Sequence, residues 1–172
     1  HEDLSIFDYV FCWLGNTNLI LSIIKLIEDR MNLEHDIAEA GVQMILLVED
    51  SIRFYSSILP NLYSYLLEQS QHFSTEALNK HAATLRMRGR PKVVLARNYA
   101  EAIALYDKYQ DNTLGVISDV RFPMDNSVPA DVKSAEKVYV LIHRKAVVYC
   151  DFLRNDPDLT LDIICLRAHL FT

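Results

Sequence analysis

Three carboxylates follow two short apolar segments, and their placement suggests what chemistry this chain could carry out. Glu49 and Asp50 come directly after Val42–Val48, and Asp119 comes directly after Leu114–Ser118. If both segments are neighbouring strands of one parallel sheet, the three side chains converge at one edge of that sheet. Clustered carboxylate oxygens are hard ligands that suit Mg²⁺, which is commonly bound by carboxylates together with waters and a phosphate. The spacing therefore predicts a Mg²⁺ site able to receive a phosphoryl group.

A carboxylate in such a site can act as a nucleophile as well as a ligand. Carboxylates form acyl-phosphates, which makes Asp119 a candidate phosphoacceptor. A bound Mg²⁺ would offset the repulsion among the acids and shield the charge of an incoming phosphoryl group. A structural interpretation stays open, because Asp50 could cap the following helix and Asp119 could close a turn.

Strands and helices alternate along the chain in a way that would position these acids. Val42–Val48 is rich in branched apolar residues, which is typical of a strand buried on both faces. Two more strands are predicted at Pro91–Ala96 and Leu114–Ser118. Helices are predicted over Ser51–Leu85 with a kink at Pro60, over Asn98–Tyr109 with Asn98 and Glu101 as a capping pair, and over Leu159–Leu170. This alternation predicts a doubly wound α/β fold with a parallel sheet.

Composition excludes several other classes of protein. The chain has 172 residues, 51% hydrophobic and 23% charged, which is ordinary for one globular domain or slightly more. The net charge of -6 argues against general nucleic-acid binding, and the longest apolar run is too short to span a bilayer. Three cysteines without paired spacing and no recognisable secretory signal favour a cytoplasmic protein with no membrane partner.

The organisation of the chain is predicted from a weak internal echo. Shifting the sequence by 140 aligns five identical residues of the first thirty with later ones: Tyr9, Leu19, Leu21, Ile23 and Ile24 with Tyr149, Leu159, Leu161, Ile163 and Ile164. We therefore expect residues 1–33 to be the tail, a strand plus a helix, of a preceding similar domain. Residues 34–41 would be a linker and residues 42–172 the main domain. Residues 120–149 are barely long enough for two crossover helices and a strand. Either Lys137–Ile142 is that strand, with very short helices, or chain is missing near 142–143, which is the interpretation we favour.

Two of these segments carry a resemblance to a known family. Ile45–Ser51 resembles the first strand and acidic pair of the receiver domain of bacterial response regulators. Val116–Asp125 resembles the third strand, phosphoacceptor and following loop of that family, including a proline, Pro123, four residues after Asp119. The resemblance covers about residues 42–172. It implies a flavodoxin-like sheet with strand order 2-1-3-4-5, here with an extended first helix.

The resemblance also implies roles for particular residues. Asp119 matches the phosphorylated residue, Glu49 and Asp50 match the Mg²⁺-binding acids, and the backbone carbonyl of Arg121 matches the third protein ligand. The implied function is a signalling module, not an enzyme, that takes its phosphoryl group from a histidine kinase or a small phosphodonor. Asn155 stands where the family has a lysine that pairs with the phosphoryl group. This departure favours the alternative, a pseudo-receiver used for phosphorylation-independent dimerisation or docking.

A narrower resemblance concerns the segments around the domain. Leu85–Pro91, together with Trp13–Gly15 and Glu28–Asp29, is similar to tandem receiver-like regions attached to phosphoenolpyruvate synthase-related proteins. It implies regulation of an attached protein of that kind. The basic residues between Arg86 and Arg97 could meet phosphate or an acidic partner, but we interpret them as a solvated loop that enters a strand. The first helix is aromatic, with Phe54, Tyr55, Tyr63 and Tyr65; core packing explains most of this, and an exposed remainder could form the face of a homodimer.

Overall fold

A computed structural model describes residues 8–75, 89–119, 122–125 and 165–166. The described part contains three α-helices, four strands and one short 3-10 helix. In chain order they are α1 (Asn18–Ala40), β1 (Met44–Val48), α2 (Ile52–Thr75), β2 (Lys92–Ala96), α3 (Tyr99–Tyr109), the 3-10 helix (Gln110–Asn112), β3 (Thr113–Ser118) and β4 (Cys165–Leu166). The predicted alternation of strands and helices is confirmed over β1, α2, β2, α3 and β3.

The three long strands form a parallel sheet with β1 at its centre. The order is β2-β1-β3, and Leu46 of β1 lies level with Val94 of β2 and Val116 of β3. Every residue of β1 and β2 is buried. The prediction of a first strand covered on both faces is thus confirmed, because a parallel sheet with helices on both sides leaves no solvent-facing positions.

The fourth described strand differs from the sequence-based expectation. Cys165 and Leu166 pair with β3 in the antiparallel direction, next to the parallel part of the sheet. The prediction of a helix over Leu159–Leu170 is therefore wrong at these two residues. Short apolar runs fit either a strand or a helix by periodicity alone, which explains the error. The alternative strand at Lys137–Ile142 and the site of the missing chain near 142–143 lie outside the described residues.

The core is divided into two layers by the sheet. On one face, α3 packs through Ala102 and Tyr106 against alternate strand residues such as Leu46 and Val94. On the other face of the sheet, α1 and α2 pack against the intervening strand residues, which include Leu47 and Leu95. The helix residues of this layer are Leu26, Tyr55, Leu59, Leu62, Tyr63 and Leu66. Alternating strand positions thus serve opposite layers, as the pleat of a strand requires.

Helix α1 runs without a break through most of the segment predicted as a linker. It spans Asn18–Ala40 and ends at Gly41, which has a φ of 61°. The Gly41 amide donates a hydrogen bond to the Ile37 carbonyl, so Gly41 forms a left-handed C-cap. Leu26 and Leu33 of α1 are buried in the two core layers. Within the described residues 8–17 the chain has no strand. Among the described helices, none combines the length and apolar character needed to cross a membrane.

Helix α2 continues through its internal proline. It spans Ile52–Thr75 with Pro60 inside it, and Leu59 and Tyr63 on either side of the proline are fully buried. The remaining part of the predicted extension of this helix, residues 76–88, lies outside the described residues. Packing against the sheet holds the helix together where the proline removes one backbone hydrogen bond.

Candidate metal centre

Backbone hydrogen bonds that continue the sheet fix the positions of two of the three acids. The Glu49 amide donates to the Ala96 carbonyl at 3.0 Å, which extends the β1–β2 pairing by one residue. The Asp119 amide donates to the Val48 carbonyl at 2.9 Å, which extends the β3–β1 pairing in the same way. The end of β1 therefore holds Glu49 and Asp119 side by side before their side chains contribute anything.

The structure brings together the three acids predicted from the sequence. One carboxylate oxygen from each of Glu49, Asp50 and Asp119 lies within 4.8 Å of those of the other two. Glu49 is 2% exposed, whereas Asp50 and Asp119 are half-buried. The cluster thus has a closed side at Glu49 and an open side at the two aspartates.

Burial and mutual repulsion make this arrangement unfavourable when all three groups are charged. Loss of hydration raises the pKa of Glu49 from 4.5 to about 7, and the nearby Asp119 and Asp50 act in the same direction. A hydrogen bond from the Ser51 amide to Glu49 Oε1, at 3.0 Å, partly opposes the rise. Burial also raises the pKa of Asp50, again with Asp119 adding to it. A cation between the three groups would remove this penalty.

The donor set fits a small hard cation. Three carboxylates supply oxygen ligands only, and the open side leaves room for waters or for a phosphate oxygen. Among the described residues, the cluster contains no histidine or cysteine, which would have favoured zinc instead. The interpretation of these acids as simple caps does not account for their convergence, although Glu49 does accept from the Ser51 amide near the start of α2.

The described part of the loop after Asp119, residues 122–125, is held by the hydrophobic core and by the start of α3. Phe122 is fully buried in the core layer under α3. The amides of Tyr99 and Ala100, at the start of α3, donate to the Pro123 and Met124 carbonyls at 2.9 and 3.0 Å. This loop therefore uses amides that an α-helix leaves unpaired at its start. Arg121 and Asn155, the other two residues of the predicted site, lie outside the described residues.

The sequence did not predict a buried ion pair that joins α1 to the sheet. Asp29 has no exposed surface, and its carboxylate accepts from Arg90 Nη2 at 2.6 Å and from Arg90 Nη1 at 3.0 Å. The same carboxylate accepts from the Tyr63 hydroxyl at 2.9 Å and from the Val93 amide at 3.0 Å. Lys92 lies 3.8 Å from Asp29 and 2.7 Å from Asp36. One carboxylate thus ties α1 to α2, β2 and the segment before β2.

This network corrects the interpretation of the basic run as a solvated loop. Arg90 and Lys92 are 6% and 5% exposed, so two of its members are buried. Their acidic partners lie 56 to 63 residues earlier in the chain, and an ion pair at that separation leaves no periodic signal in the sequence. A charged residue, Asp29, on the mostly apolar inner stripe of α1 was the one sign available in the sequence.

A second concave region lies between the segment at residues 8–11, helix α1 and the end of β2. It encloses about 620 Å³ and is lined by Tyr9, Arg30, Arg97 and Glu101 together with apolar side chains such as Ile27. Burial raises the pKa of the Tyr9 hydroxyl, with Arg30 and Arg97 acting against the rise. Nothing in the sequence pattern predicted this cavity.

Comparisons with known proteins give no independent assignment of this site. No protein-family model, no curated protein and no solved structure matches the chain. The chemistry of the site therefore rests on its own residues, above all on the convergence of Glu49, Asp50 and Asp119.

Proposed function

We propose that this chain is a receiver module of two-component signalling that accepts a phosphoryl group on Asp119 with Mg²⁺. One observation carries the proposal: three carboxylates converge at the carboxyl edge of a parallel β2-β1-β3 sheet, and one of them ends β3. In parallel α/β sheets this edge is where ligands bind. The proposed order 2-1-3-4-5 shares β2-β1-β3 with the described sheet and requires a parallel strand beside β3, where the two-residue β4 pairs in the antiparallel direction. The proposed metal ligands include the backbone carbonyl of Arg121.

The proposed reaction uses Asp119 as the nucleophile and all three acids as metal ligands. An Asp119 carboxylate oxygen forms a bond to phosphorus while the bond from phosphorus to the donor's leaving group breaks, and the leaving group departs with the electron pair. Glu49, Asp50 and Asp119 would hold the metal ion. When bound, Mg²⁺ supplies positive charge that lowers the repulsion between the carboxylates and the phosphoryl oxygens. Asp119 is half-buried whereas Glu49 is enclosed, so Asp119 is the more accessible of the two to a donor.

The added charge would then be transmitted as a change in shape or in partner binding. A phosphoryl group adds roughly two negative charges. It adds them at a site where burial already disfavours a charged carboxylate. The loop at 122–125, held by Phe122 in the core and by the start of α3, is the nearest described segment that could respond. The proposed donor is a histidine kinase or a small phosphodonor, and the proposed target is an attached phosphoenolpyruvate synthase-like protein.

A phosphorylation assay on the whole chain tests the proposal. Incubation with acetyl phosphate and Mg²⁺ is expected to add the mass of one phosphoryl group, and chelation of the metal is expected to prevent it. Asp119→Asn should abolish the adduct. Asp125→Asn, which changes an exposed aspartate of the same loop, should leave it intact. Absence of any adduct, or an equal adduct on Asp119→Asn, would reject the proposal.

A second candidate function rests on a departure within the sequence. Asn155 stands at the position where receivers have a lysine that pairs with the phosphoryl group. A pseudo-receiver would use the same fold for dimerisation or docking without phosphorylation. This alternative predicts that Asp119→Asn leaves self-association and partner binding unchanged, whereas a phosphorylation switch predicts that acetyl phosphate alters them in the wild-type chain only.

A further inference from the structure

The cavity beside the end of β2 has the size and the position of a small-molecule site. It encloses about 620 Å³, and small-molecule sites usually enclose roughly 300–1,000 Å³. Leu95 of β2 and Arg97, which directly follows β2, are part of its lining. The cavity therefore lies at the carboxyl end of a parallel strand, and this is the edge at which α/β sheets bind ligands.

One wall of the cavity, formed by residues 8–11, is held in place by α2. The Tyr55 hydroxyl of α2 donates to the Val10 carbonyl. The Phe11 ring meets the Tyr55 ring edge to face, with 5.6 Å between the ring centroids. Because these contacts already fix the wall, a ligand does not have to order it on binding.

The lining of the cavity combines apolar side chains with charges of both signs. The apolar side chains come from three different parts of the fold, and they are Phe11, Ile23, Ile27, Met31 and Leu95. The charged side chains are two arginines, Arg30 and Arg97, and two acids, Asp8 and Glu101. These four charges sum to zero. A ligand that carries one positive and one negative group beside an apolar body matches this lining better than a simple anion or cation does.

The four charged groups lie around one hydroxyl group. Burial raises the pKa of the Tyr9 hydroxyl, and Arg30 and Arg97 oppose the rise. Glu101 and Asp8 add to the rise, so all four groups are close enough to act on this one point of the cavity. Within the described residues Arg30 has no ion-pair partner, and the Arg97 guanidinium stays 3.9 Å from the Glu101 carboxylate. Both guanidinium groups are therefore available to a ligand.

We propose that this cavity binds a free amino acid with a large apolar side chain. The ligand carboxylate is received by Arg30 and Arg97, because a planar guanidinium group matches the geometry of a carboxylate. The ligand ammonium group lies toward Asp8 and Glu101. One oxygen of Glu101 accepts from the Arg97 amide at 2.8 Å, which leaves the other oxygen for the ammonium group. The site is separate from phosphoryl transfer, because its lining includes none of the three clustered acids.

Titration of the isotope-labelled whole chain with L-tryptophan, followed by the NMR shifts of the backbone amides, tests the proposal. A ligand of about 15 non-hydrogen atoms is expected to bind with a dissociation constant of about 1 mM or tighter, so titration to about 10 mM covers the range. Tryptophanamide lacks the carboxylate, and N-acetyltryptophan lacks the ammonium group. Each should bind about tenfold more weakly or worse, because a charged group of the cavity then loses its partner. Absence of saturable binding, or equal binding of N-acetyltryptophan, would overturn the proposal.

A variant of the cavity and a matched control separate this site from nonspecific binding. Arg30→Gln should weaken the binding of L-tryptophan about tenfold and reduce its preference over tryptophanamide. Arg53→Gln, which changes an exposed arginine of α2 outside the cavity, should bind like the wild type. Circular dichroism of both variants should match the wild type. Amide shifts should concentrate on lining residues such as Leu95. Shifts centred on the exposed Trp13 and Ile20, or unchanged affinity of Arg30→Gln, would contradict the assignment.

Discussion

Replacing Glu49 by glutamine should change how the stability of the metal-free protein depends on pH. The carboxyl group of Glu49 is enclosed beside Asp50 and Asp119, and burial raises its pKa to about 7. Glutamine has nearly the same shape and keeps an oxygen that can accept from the Ser51 amide. The substitution therefore removes the titration of Glu49 while leaving its main hydrogen bond in place.

The sign and the size of the effect follow from the two pKa values. Between pH 4.5 and about 7, Glu49 has lost its proton in the unfolded chain but keeps it in the folded protein. Because the unfolded state then binds fewer protons, stability falls as the pH rises through this range. At about 1.4 kcal/mol per pH unit, the free energy of unfolding falls by about 3 kcal/mol between pH 4.5 and about 7. Glu49→Gln avoids this loss.

Urea denaturation between pH 5 and pH 8, in the presence of a chelator, measures the effect. Relative to the wild type, Glu49→Gln should gain stability steadily with pH and exceed it by about 3 kcal/mol near pH 8. Glu39→Gln, an exposed site on α1, should follow the wild type. Mg²⁺ at pH 8 should stabilise the wild type more than Glu49→Gln, because metal binding needs ionised carboxylates. A difference between the two proteins that is the same at every pH would refute the reasoning.

Three further substitutions test the parts of the fold that position the site. Asp29→Asn should lower the free energy of unfolding by about 3–5 kcal/mol in urea denaturation, because it leaves the Arg90 guanidinium buried without its counter-charge. Asn98→Ala should cost about 1 kcal/mol in the same assay, since the Asn98 side chain accepts from the Glu101 amide at 2.8 Å and caps α3. Gly41→Ala should cost about 1 kcal/mol in thermal unfolding, because Gly41 has a positive φ at the end of α1. Each expectation fails if the variant unfolds with the wild type.

The candidate site was predictable because it depends on local sequence and on one general property of parallel sheets. Val42–Val48 and Leu114–Ser118 were recognisable as strands, and the acids that follow them had to share an edge if the strands were neighbours. The structure shows β1 and β3 paired, with Val48 level with Ser118. The position of Glu49 and Asp119 thus follows from strand pairing and needs no side-chain detail.

The capping residues of α3 were predictable for the same reason. Asn98 accepts from the Glu101 amide, and the Glu101 side chain accepts from the Arg97 amide at 2.8 Å. Both contacts join residues at most four apart, so residue type and spacing alone indicate them. The return contact reaches Arg97 and not the amide of Asn98 itself, a detail that spacing could not specify.

The Asp29 network could not be predicted, because its partners are distant in the chain. Arg90 and Val93 are 61 and 64 residues from Asp29. On sequence alone, α1 belonged to a tail before the main domain, and a charged residue on its apolar side had no visible partner. Only the folded arrangement shows that burial of Asp29 is matched by four donor groups, two of them on Arg90.

The same network links α1 to the acidic cluster through β2. In the described sheet β2 is an outer strand, and its successive amides point in opposite directions: Lys92 donates to the Gln43 carbonyl beside β1, whereas Val93 donates to Asp29. Helix α1 therefore covers an edge that would otherwise present an unpaired amide. The far end of β2 holds the Glu49 amide through the Ala96 carbonyl. Helix α1 therefore secures the strand that positions Glu49, the most buried of the three acids.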